Sequence, residues 1–253
     1  MHLDPSMVLF LLFFGFLAAF IDSVVGGGGL ITIPALLFTG MSPATTVATN
    51  KLAGSMGSLT STIMFYRSGT IELKSVYKYF PLSFIGSMIG AWIVHLMNPE
   101  VLKPLMLVML VAVAVYTIIK KDWGSISAPK QLSTFYVLLF TFLLFLIGFY
   151  DGFLGPGTGS FLIFAFLLVG FDFLKAAGNA KFLNFSSNIA GLLMFMYLGQ
   201  VNYTYGLIMG VAQIVGSIVG SRFAIKRGSG YVRTLFIIVT VVLFAKNIYD
   251  YLY

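Results

Sequence analysis

Two acidic residues lie beside clusters of glycine inside otherwise apolar runs, and these clusters are the residues best placed to do chemistry. Asp22 precedes the consecutive glycines 26–29, and Asp151 precedes glycines 152, 155, 157 and 159. Such clusters cannot continue a lipid-buried helix, because each glycine costs up to about 1 kcal/mol relative to alanine and the freed backbone groups need new partners. We therefore predict one helix break in each half of the chain, with free N–H groups and a carboxylate beside it.

A lysine follows each break at a depth well inside a membrane. Lys51 lies eight residues beyond Pro43, about 12 Å along a helix, and Asn50 is its neighbour. Lys181 and Asn179 occupy the corresponding positions after the second break. Charged groups at this depth are costly and are functional by default. Further hydroxyl and amide donors nearby are Thr49, Ser55, Asn184 and Ser187.

These groups favour a binding site for an anion. Half-helices that begin near Leu30 and Ser160 would direct N–H groups and positive dipole ends inward, and glycines let an oxyanion approach the backbone. We expect two lysines to complete a positive pocket suited to sulfite or a sulfonate. The candidate substrate contacts are Asn50, Lys51, Asn179, Lys181, Asn184, Gly28, Gly29, Gly157, Thr158, Gly159, Ser160, Thr49, Ser55 and Ser187.

The two acids leave other functions open. Asp22 and Asp151 could accept hydrogen bonds from the glycine N–H groups, could pair with the lysines (Lys51 with Asp22, Lys181 with Asp151), or could carry a coupling proton. A channel or a cation- or proton-coupled carrier that uses both acids is therefore the second hypothesis. A membrane-embedded enzyme is disfavoured, because the chain has no cysteine and only two histidines. The sequence predicts no metal site and no cofactor.

Composition identifies an integral membrane protein. Of the 253 residues, 59% are hydrophobic and 9% are charged, whereas soluble domains have about 25% charged residues. The net charge of +7 comes from residues between apolar runs, which is typical of topology signals and not of nucleic-acid binding. The expected partners are thus the lipid bilayer and a small anion, with no nucleic acid; the oligomeric state stays open, a homo-oligomer included.

The apolar runs predict an all-α, polytopic protein made of two repeats. The predicted helices cover residues 7–25, 30–38, 43–66, 79–97, 104–119, 134–154, 161–169, 173–197, 205–224 and 232–249. The halves align at a shift of 129 or 130 positions, which superposes Asp22 on Asp151 and Lys51 on Lys181. We therefore assign residues 1–123 and 134–253 to two transmembrane repeats, joined by a linker over residues 124–133. Each repeat would be a glycine-broken re-entrant hairpin followed by three spanning helices.

Two local patterns refine this architecture. Ser42 before Pro43, and Asp172 at the matching place, are expected N-caps of the helices that carry the lysines. Glycines spaced four apart, at 86 and 90 and again at 216 and 220, should let helix backbones approach closely.

The distribution of basic residues predicts the orientation. If each broken element is a hairpin that returns to the face it entered, eleven lysines and arginines fall on one face, as the positive-inside rule requires. Each half then crosses the membrane an odd number of times, so that the halves are inverted and both termini lie outside. The residues on that face are Arg67, Lys74, Lys78, Lys120, Lys121, Lys130, Lys175, Arg222, Lys226, Arg227 and Arg233.

At these motifs the chain resembles the sulfite exporter TauE/SafE family of membrane transporters. The resemblance rests on DSVVGGGGLITIP at 22–34, ATNKL at 48–52, GPGTGSF at 155–161 and KFLNFSSN at 181–188. It implies a permease of the plasma (inner) membrane that moves sulfur-containing or other organic anions, often outward. The positions that match the polar signature of the family are Asn50, Lys51, Asn179, Lys181 and Asn184. Ala180 stands where many members have a hydroxyl residue, so substrate contacts should differ there.

Overall fold

A computed structural model describes residues 4–98, 100–102 and 133–252, with side chains up to residue 228. All regular structure in these residues is helical, which confirms the all-α prediction. The helices are α1 (Pro5–Val25), α2 (Gly29–Phe38), α3 (Pro43–Arg67), α4 (Leu73–Val76), α5 (Phe80–Leu96), α6 (Thr134–Phe153), α7 (Thr158–Leu168), α8 (Phe173–Tyr197) and α9 (Tyr203–Leu252). The span predicted over 104–119 and linker residues 124–132 lie outside the described residues.

Among the residues that the structure describes, four helical segments are long and apolar enough to cross a membrane. They are Pro5–Val25, Leu73–Leu96, Thr134–Phe153 and Tyr203–Gly228. Large apolar side chains stand exposed on the outer surfaces of these segments, among them Phe13 on α1 and Phe135 on α6. Such a surface suits lipid and not water. The protein is therefore a multi-pass membrane protein.

The two 25-residue helices, α3 and α8, form the interior of the bundle. They pack on each other, on α5 and on α9, and they bury small and polar residues along most of their length. Their N-termini follow the predicted rules. The Ser42 hydroxyl accepts a hydrogen bond from the Thr45 amide at 3.2 Å, and Asp172 accepts from the amides of Leu174 and Lys175. These caps fix where the two lysine-bearing helices begin.

Each short helix folds back along the longer helix before it. In the first hairpin the Gly28 amide meets the Asp22 carboxylate near the tip, and the rings of Phe10 and Phe38 lie 5.3 Å apart near the base. In the second hairpin the rings of Phe140 and Phe166 are 5.7 Å apart. The chain thus reverses direction at both glycine clusters, as predicted.

Glycines allow close helix contacts at two places. Gly86 and Gly90 on α5 press against the backbone of α6 at Phe145 and Phe149, and Gly216 and Gly220 on α9 press against α1 at Phe16 and Phe20. A methyl group at any of the four glycines would collide with a carbonyl oxygen. The predicted close approach of helices at these glycines is therefore confirmed.

Helix boundaries differ from the predictions where glycine geometry intervenes. Helix α7 begins at Thr158, three residues earlier than expected, because Gly157 turns the chain with φ +79° directly before it. Helix α9 was expected as two helices. The backbone of Gly228 is not helical, with φ 76° and ψ −174°, and it divides α9 into two helical stretches.

Candidate functional site

The two glycine breaks contact each other inside the bundle. Gly26, with φ +75°, lies against the backbone of Gly159 and Ser160 with no room for a side chain. The Ser160 hydroxyl donates to the carbonyl of Val25 at 3.0 Å. Only glycine combines this backbone angle with such close packing. The tips of the two hairpins therefore meet backbone to backbone.

A small cavity lies where the tips meet. Its volume is about 40 Å³, which is room for a few water molecules or one small polyatomic ion. Both hairpins, both central helices and α9 contribute to its wall. The lining residues are Ala18, Ala19, Asp22, Gly27, Gly28, Gly29, Thr32, Asn50, Gly54, Asp151, Gly155, Gly157, Thr158, Gly159, Asn184, Asn188 and Gln213.

Hydrogen-bond donors face this cavity from several sides. Helices α2 and α7 both begin at its wall, so their first N–H groups and positive dipole ends lie there. The Thr32 hydroxyl donates to the Asn50 carbonyl oxygen at 2.6 Å, which leaves the NH₂ group of Asn50 as a donor. Asn184 and Gln213 add further amides to the wall. Such a set of neutral donors can hold the oxygen atoms of an anion.

Two ion pairs flank the cavity, one buried and one partly buried, and each joins the two halves of the chain. The Lys51 Nζ lies 2.9 Å from Asp151 Oδ1, with both side chains at most 3% exposed. The Lys181 Nζ lies 2.6 Å from Asp22 Oδ2. Of the alternatives left open for the two acids, the pairing within each half, Lys51 with Asp22 and Lys181 with Asp151, is therefore wrong. The reason is that each hairpin tip reaches across the centre to the long helix of the other half.

The lysines do not reach the cavity in this conformation. Among the described residues that line it are both aspartates but neither lysine. Two ammonium groups and two carboxylates also sum to zero charge. Instead of the expected positive pocket, the structure shows a cavity lined by two carboxylates, each of which is paired with a lysine.

The two aspartates differ in their surroundings. Asp22 has both oxygens engaged, because Oδ1 accepts from the Gly28 amide at 3.1 Å while Oδ2 accepts from Lys181. In Asp151 only Oδ1 is engaged, because it accepts from Lys51. The buried Oδ2 has no hydrogen-bond partner in the described part of the chain. The predicted capping of a glycine N–H is therefore confirmed for Asp22 alone.

The remaining predicted residues lie near the cavity but bond elsewhere. The Thr49 hydroxyl accepts from the Asn202 amide at 3.1 Å, and the Asn179 carbonyl oxygen accepts from the Glu72 amide at 3.0 Å. Ser55 and Ser187 donate to carbonyls of their own helices. None of these four side chains is among the described residues of the cavity wall.

Several residues of the cavity wall were not predicted as site residues. Gln213 and Thr32 are polar residues inside apolar runs, and that pattern could have indicated them. Asn188 is the last residue of the KFLNFSSN motif at 181–188, and its carbonyl oxygen lies 3.5 Å from Lys51 Nζ. Nothing in the sequence around Gly54, apart from the small size of the residue, indicated that it would line a cavity.

Comparisons with known proteins agree with this architecture. The sequence model of the sulfite exporter TauE/SafE family matches residues 11–247. A Sinorhizobium protein, "Probable membrane transporter protein ORF9", is 40% identical over 96% of this chain and 93% of its own length. "Probable membrane transporter protein YfcA" of Escherichia coli K12 is 39% identical over 98% of this chain and 91% of its own. A "Probable membrane transporter protein" of Haemophilus influenzae is 35% identical over 99% and 98%. No solved structure matches the chain.

Proposed function

The chain belongs to the sulfite exporter TauE/SafE family of membrane transporters, and from this premise we propose that it is a secondary transporter of small oxyanions such as sulfite or a sulfonate. The observation that carries the proposal is the cavity between the two hairpin tips. It is small, lined by backbone N–H groups and side-chain amides, and contributed by both halves. Binding sites of secondary transporters lie at such discontinuities, near the middle of the bilayer.

The proposal includes two repeats, and contacts at a constant offset support them. The Glu72 amide donates to Asn179, and the Asn202 amide donates to Thr49. Both residues of the first contact are 130 positions from their counterparts in the second, with the halves exchanged. The glycine contacts of α5 with α6 and of α9 with α1 repeat in the same way.

An inverted arrangement of the repeats is supported by where the hairpins start. Leu37, near the base of the first hairpin, packs against the same apolar cluster as Ala44 at the beginning of α3. Phe166, near the base of the second hairpin, belongs to the same apolar cluster as Phe65 at the end of α3. Since α3 has a length sufficient to cross a membrane, the hairpins enter from opposite faces and both are re-entrant. Rocking one repeat against the other would then open the cavity to each face in turn.

The size and polarity of the cavity favour a small anion over a larger organic one. A volume of about 40 Å³ leaves little room beyond a sulfur or carbon centre and its oxygens. The wall offers N–H donors of glycines and asparagines, which suit oxygen acceptors. In this proposal the direct contacts are Gly28, Gly29, Thr158, Gly159, Asn50 and Asn184, while Lys51 and Lys181 hold the aspartates in place.

A cation-coupled carrier is a second candidate, and one observation favours it. Asp22 and Asp151 both line the cavity, and a carboxylate oxygen without a partner is a ligand for a proton or a small cation. The two candidates are compatible if the cation accompanies the anion.

The test is a thermal-stability screen of the purified protein. Sulfite, sulfate, thiosulfate, methanesulfonate and acetate are compared with sodium and potassium chloride at matched ionic strength. A ligand that binds only the folded state raises the unfolding temperature, and the rise grows with the ratio of its concentration to its Kd. We expect sulfite or methanesulfonate to stabilise the protein, whereas stabilisation by a cation alone would contradict the anion proposal.

A further inference from the structure

Asp151 lines the cavity, and one oxygen of its carboxylate has no hydrogen-bond partner in the described part of the chain. Its side chain is 3% exposed, and its Oδ1 accepts from Lys51 at 2.9 Å. Its Oδ2 is buried and has no partner among the described residues. A buried acceptor without a partner is costly, so this oxygen is expected to take up a ligand or a proton.

The free oxygen follows from a difference between the two breaks. In the first break the Gly28 amide donates to Asp22. The position that corresponds to Gly28 is Gly157, which has φ +79° and follows Pro156. Proline has no N–H group and fixes its own φ, so the second break turns differently. In the part of the chain that the structure describes, no amide donates to Asp151.

Charged groups reach the surroundings of Asp151 from three neighbouring helices. They are Lys51 on α3, Asp22 on α1 and Lys181 on α8, the last bound to Asp22. Helix α7 contains no titratable side chain, and His95 on α5 contacts Gln200. Tyr150, the neighbour of Asp151, donates to the carbonyl of Pro156 at 2.7 Å.

These charges make the binding of an anion alone unfavourable. With two lysines and two aspartates the site is neutral before the anion enters. An anion would therefore bring an uncompensated charge into the interior of a membrane protein, which is unfavourable. It would also face the ionised oxygen of Asp151, a second repulsion.

We propose that Asp151 takes up a proton on Oδ2 when the anion binds, so that the protein moves one proton with each monovalent anion. The proton comes from water on the side where the site is open and leaves to water on the other side. A protonated Oδ2 is a hydrogen-bond donor, so the group that repels the anion becomes one that binds it. The proton also restores the neutrality of the site. Anion binding and proton binding must then strengthen each other equally.

This inference rests on the proposed function, and proton uptake on anion binding tests it. Purified protein in weakly buffered solution near pH 7 is titrated with methanesulfonate, which carries no titratable proton at this pH, while a pH-sensitive dye reports proton uptake. We expect about one proton to be taken up per bound anion by the wild type. Asp151→Asn supplies a permanent amide donor and is expected to bind methanesulfonate without proton uptake.

A matched variant and a rescue variant complete the experiment. The matched variant is Asp22→Asn combined with Lys181→Met, which removes the acid whose oxygens are both engaged together with its lysine. The site then stays neutral and keeps Asp151, so binding of the anion should still be accompanied by the uptake of about one proton. Asp151→Asn leaves Lys51 without a carboxylate, so the double variant with Lys51→Met is measured as well if the single variant fails to fold. Wild-type binding without proton uptake, or undiminished uptake in the folded Asp151 variants, would overturn the inference while leaving anion transport intact. If methanesulfonate, sulfite and sulfate all fail to bind the wild type, the proposed function fails, and this inference with it.

Discussion

Lys51 pairs with Asp151, 100 positions further along the chain, and its Nζ lies 2.9 Å from Oδ1 of the acid. The second pair, between Lys181 and Asp22 at 2.6 Å, is its counterpart with the halves exchanged. Each hairpin tip is thus tied to the central helix of the other half by a charge pair. Any movement of one half against the other must carry these pairs along or break them.

The first prediction concerns the Lys51–Asp151 pair. Lys51→Met or Asp151→Asn alone leaves one buried charge without its partner, and each should lower the free energy of unfolding by about 3 kcal/mol or more. The double variant removes both charges and should recover most of that loss. Unfolding of the detergent-solubilised protein by denaturant measures all three variants against the wild type.

The Lys175–Glu72 pair is the control for this cycle. Its length is also 2.9 Å, but its side chains are 40% and 34% exposed, so its loss should cost at most about 1 kcal/mol. The coupling of the two charges would be contradicted if the Lys51→Met/Asp151→Asn double variant had a free energy of unfolding no higher than that of the less stable single variant.

The second prediction concerns the contact between the hairpin tips. Gly26→Ala should abolish folding or lower the unfolding temperature strongly, because its methyl group would collide with the backbone of Gly159 and Ser160 and its φ is +75°. Gly69→Ala is the matched control, since Gly69 has φ +74° with open space around it. That control should cost only backbone strain, about 1 to 2 kcal/mol. Equal losses in both variants would show that the tips do not depend on close packing.

The third prediction separates residues at the cavity from residues beside it. Asn184→Ala removes an amide from the cavity wall and should weaken anion binding about tenfold, the equivalent of one hydrogen bond. Thr49→Val leaves the wall intact and disturbs only the contact with the Asn202 amide. It should lower stability modestly without changing the affinity. Isothermal titration with methanesulfonate measures both, and a larger affinity loss for Thr49→Val would contradict the assignment.

The fourth prediction concerns Gln213, the glutamine that α9 contributes to the cavity wall. Gln213→Leu should weaken anion binding about tenfold, because an amide donor is replaced by a side chain that cannot donate. Gln200→Leu is the control, because Gln200 contacts His95 near the surface. If the two variants bind the anion with equal affinity in the same titration, the assignment of Gln213 to the binding site is wrong.

Much of the fold could be predicted from the sequence because membrane insertion leaves few alternatives. Apolar length and helix caps located most helices, with Ser42 and Asp172 as clear starting points. The glycine clusters located both reversals of the chain. The early start of α7 could not be predicted, because it depends on the left-handed turn at Gly157.

The site was only partly predictable, since it depends on contacts between distant segments. Asp22 and Lys51 stood out because charge is rare inside apolar runs, but their sequence neighbourhood suggested the wrong partners. Thr49 and Asn179 shared the polar motifs of the site yet point to backbone amides of the other half. Sequence spacing gives the depth of a residue in the membrane but not the direction in which its side chain points.

The most direct test of the central claim is counterflow of labelled methanesulfonate into proteoliposomes loaded with the unlabelled anion. Wild-type protein should accumulate the label above protein-free vesicles. Gly54→Ala should slow it about tenfold, because the new methyl group would lie 2.9 Å from the Asn188 carbonyl oxygen and push that side chain into the cavity. Gly206→Ala, which displaces only the side chain of Leu52, should behave as wild type. Wild-type vesicles that match protein-free ones, or a Gly54→Ala rate equal to wild type, would contradict an anion site between the hairpin tips.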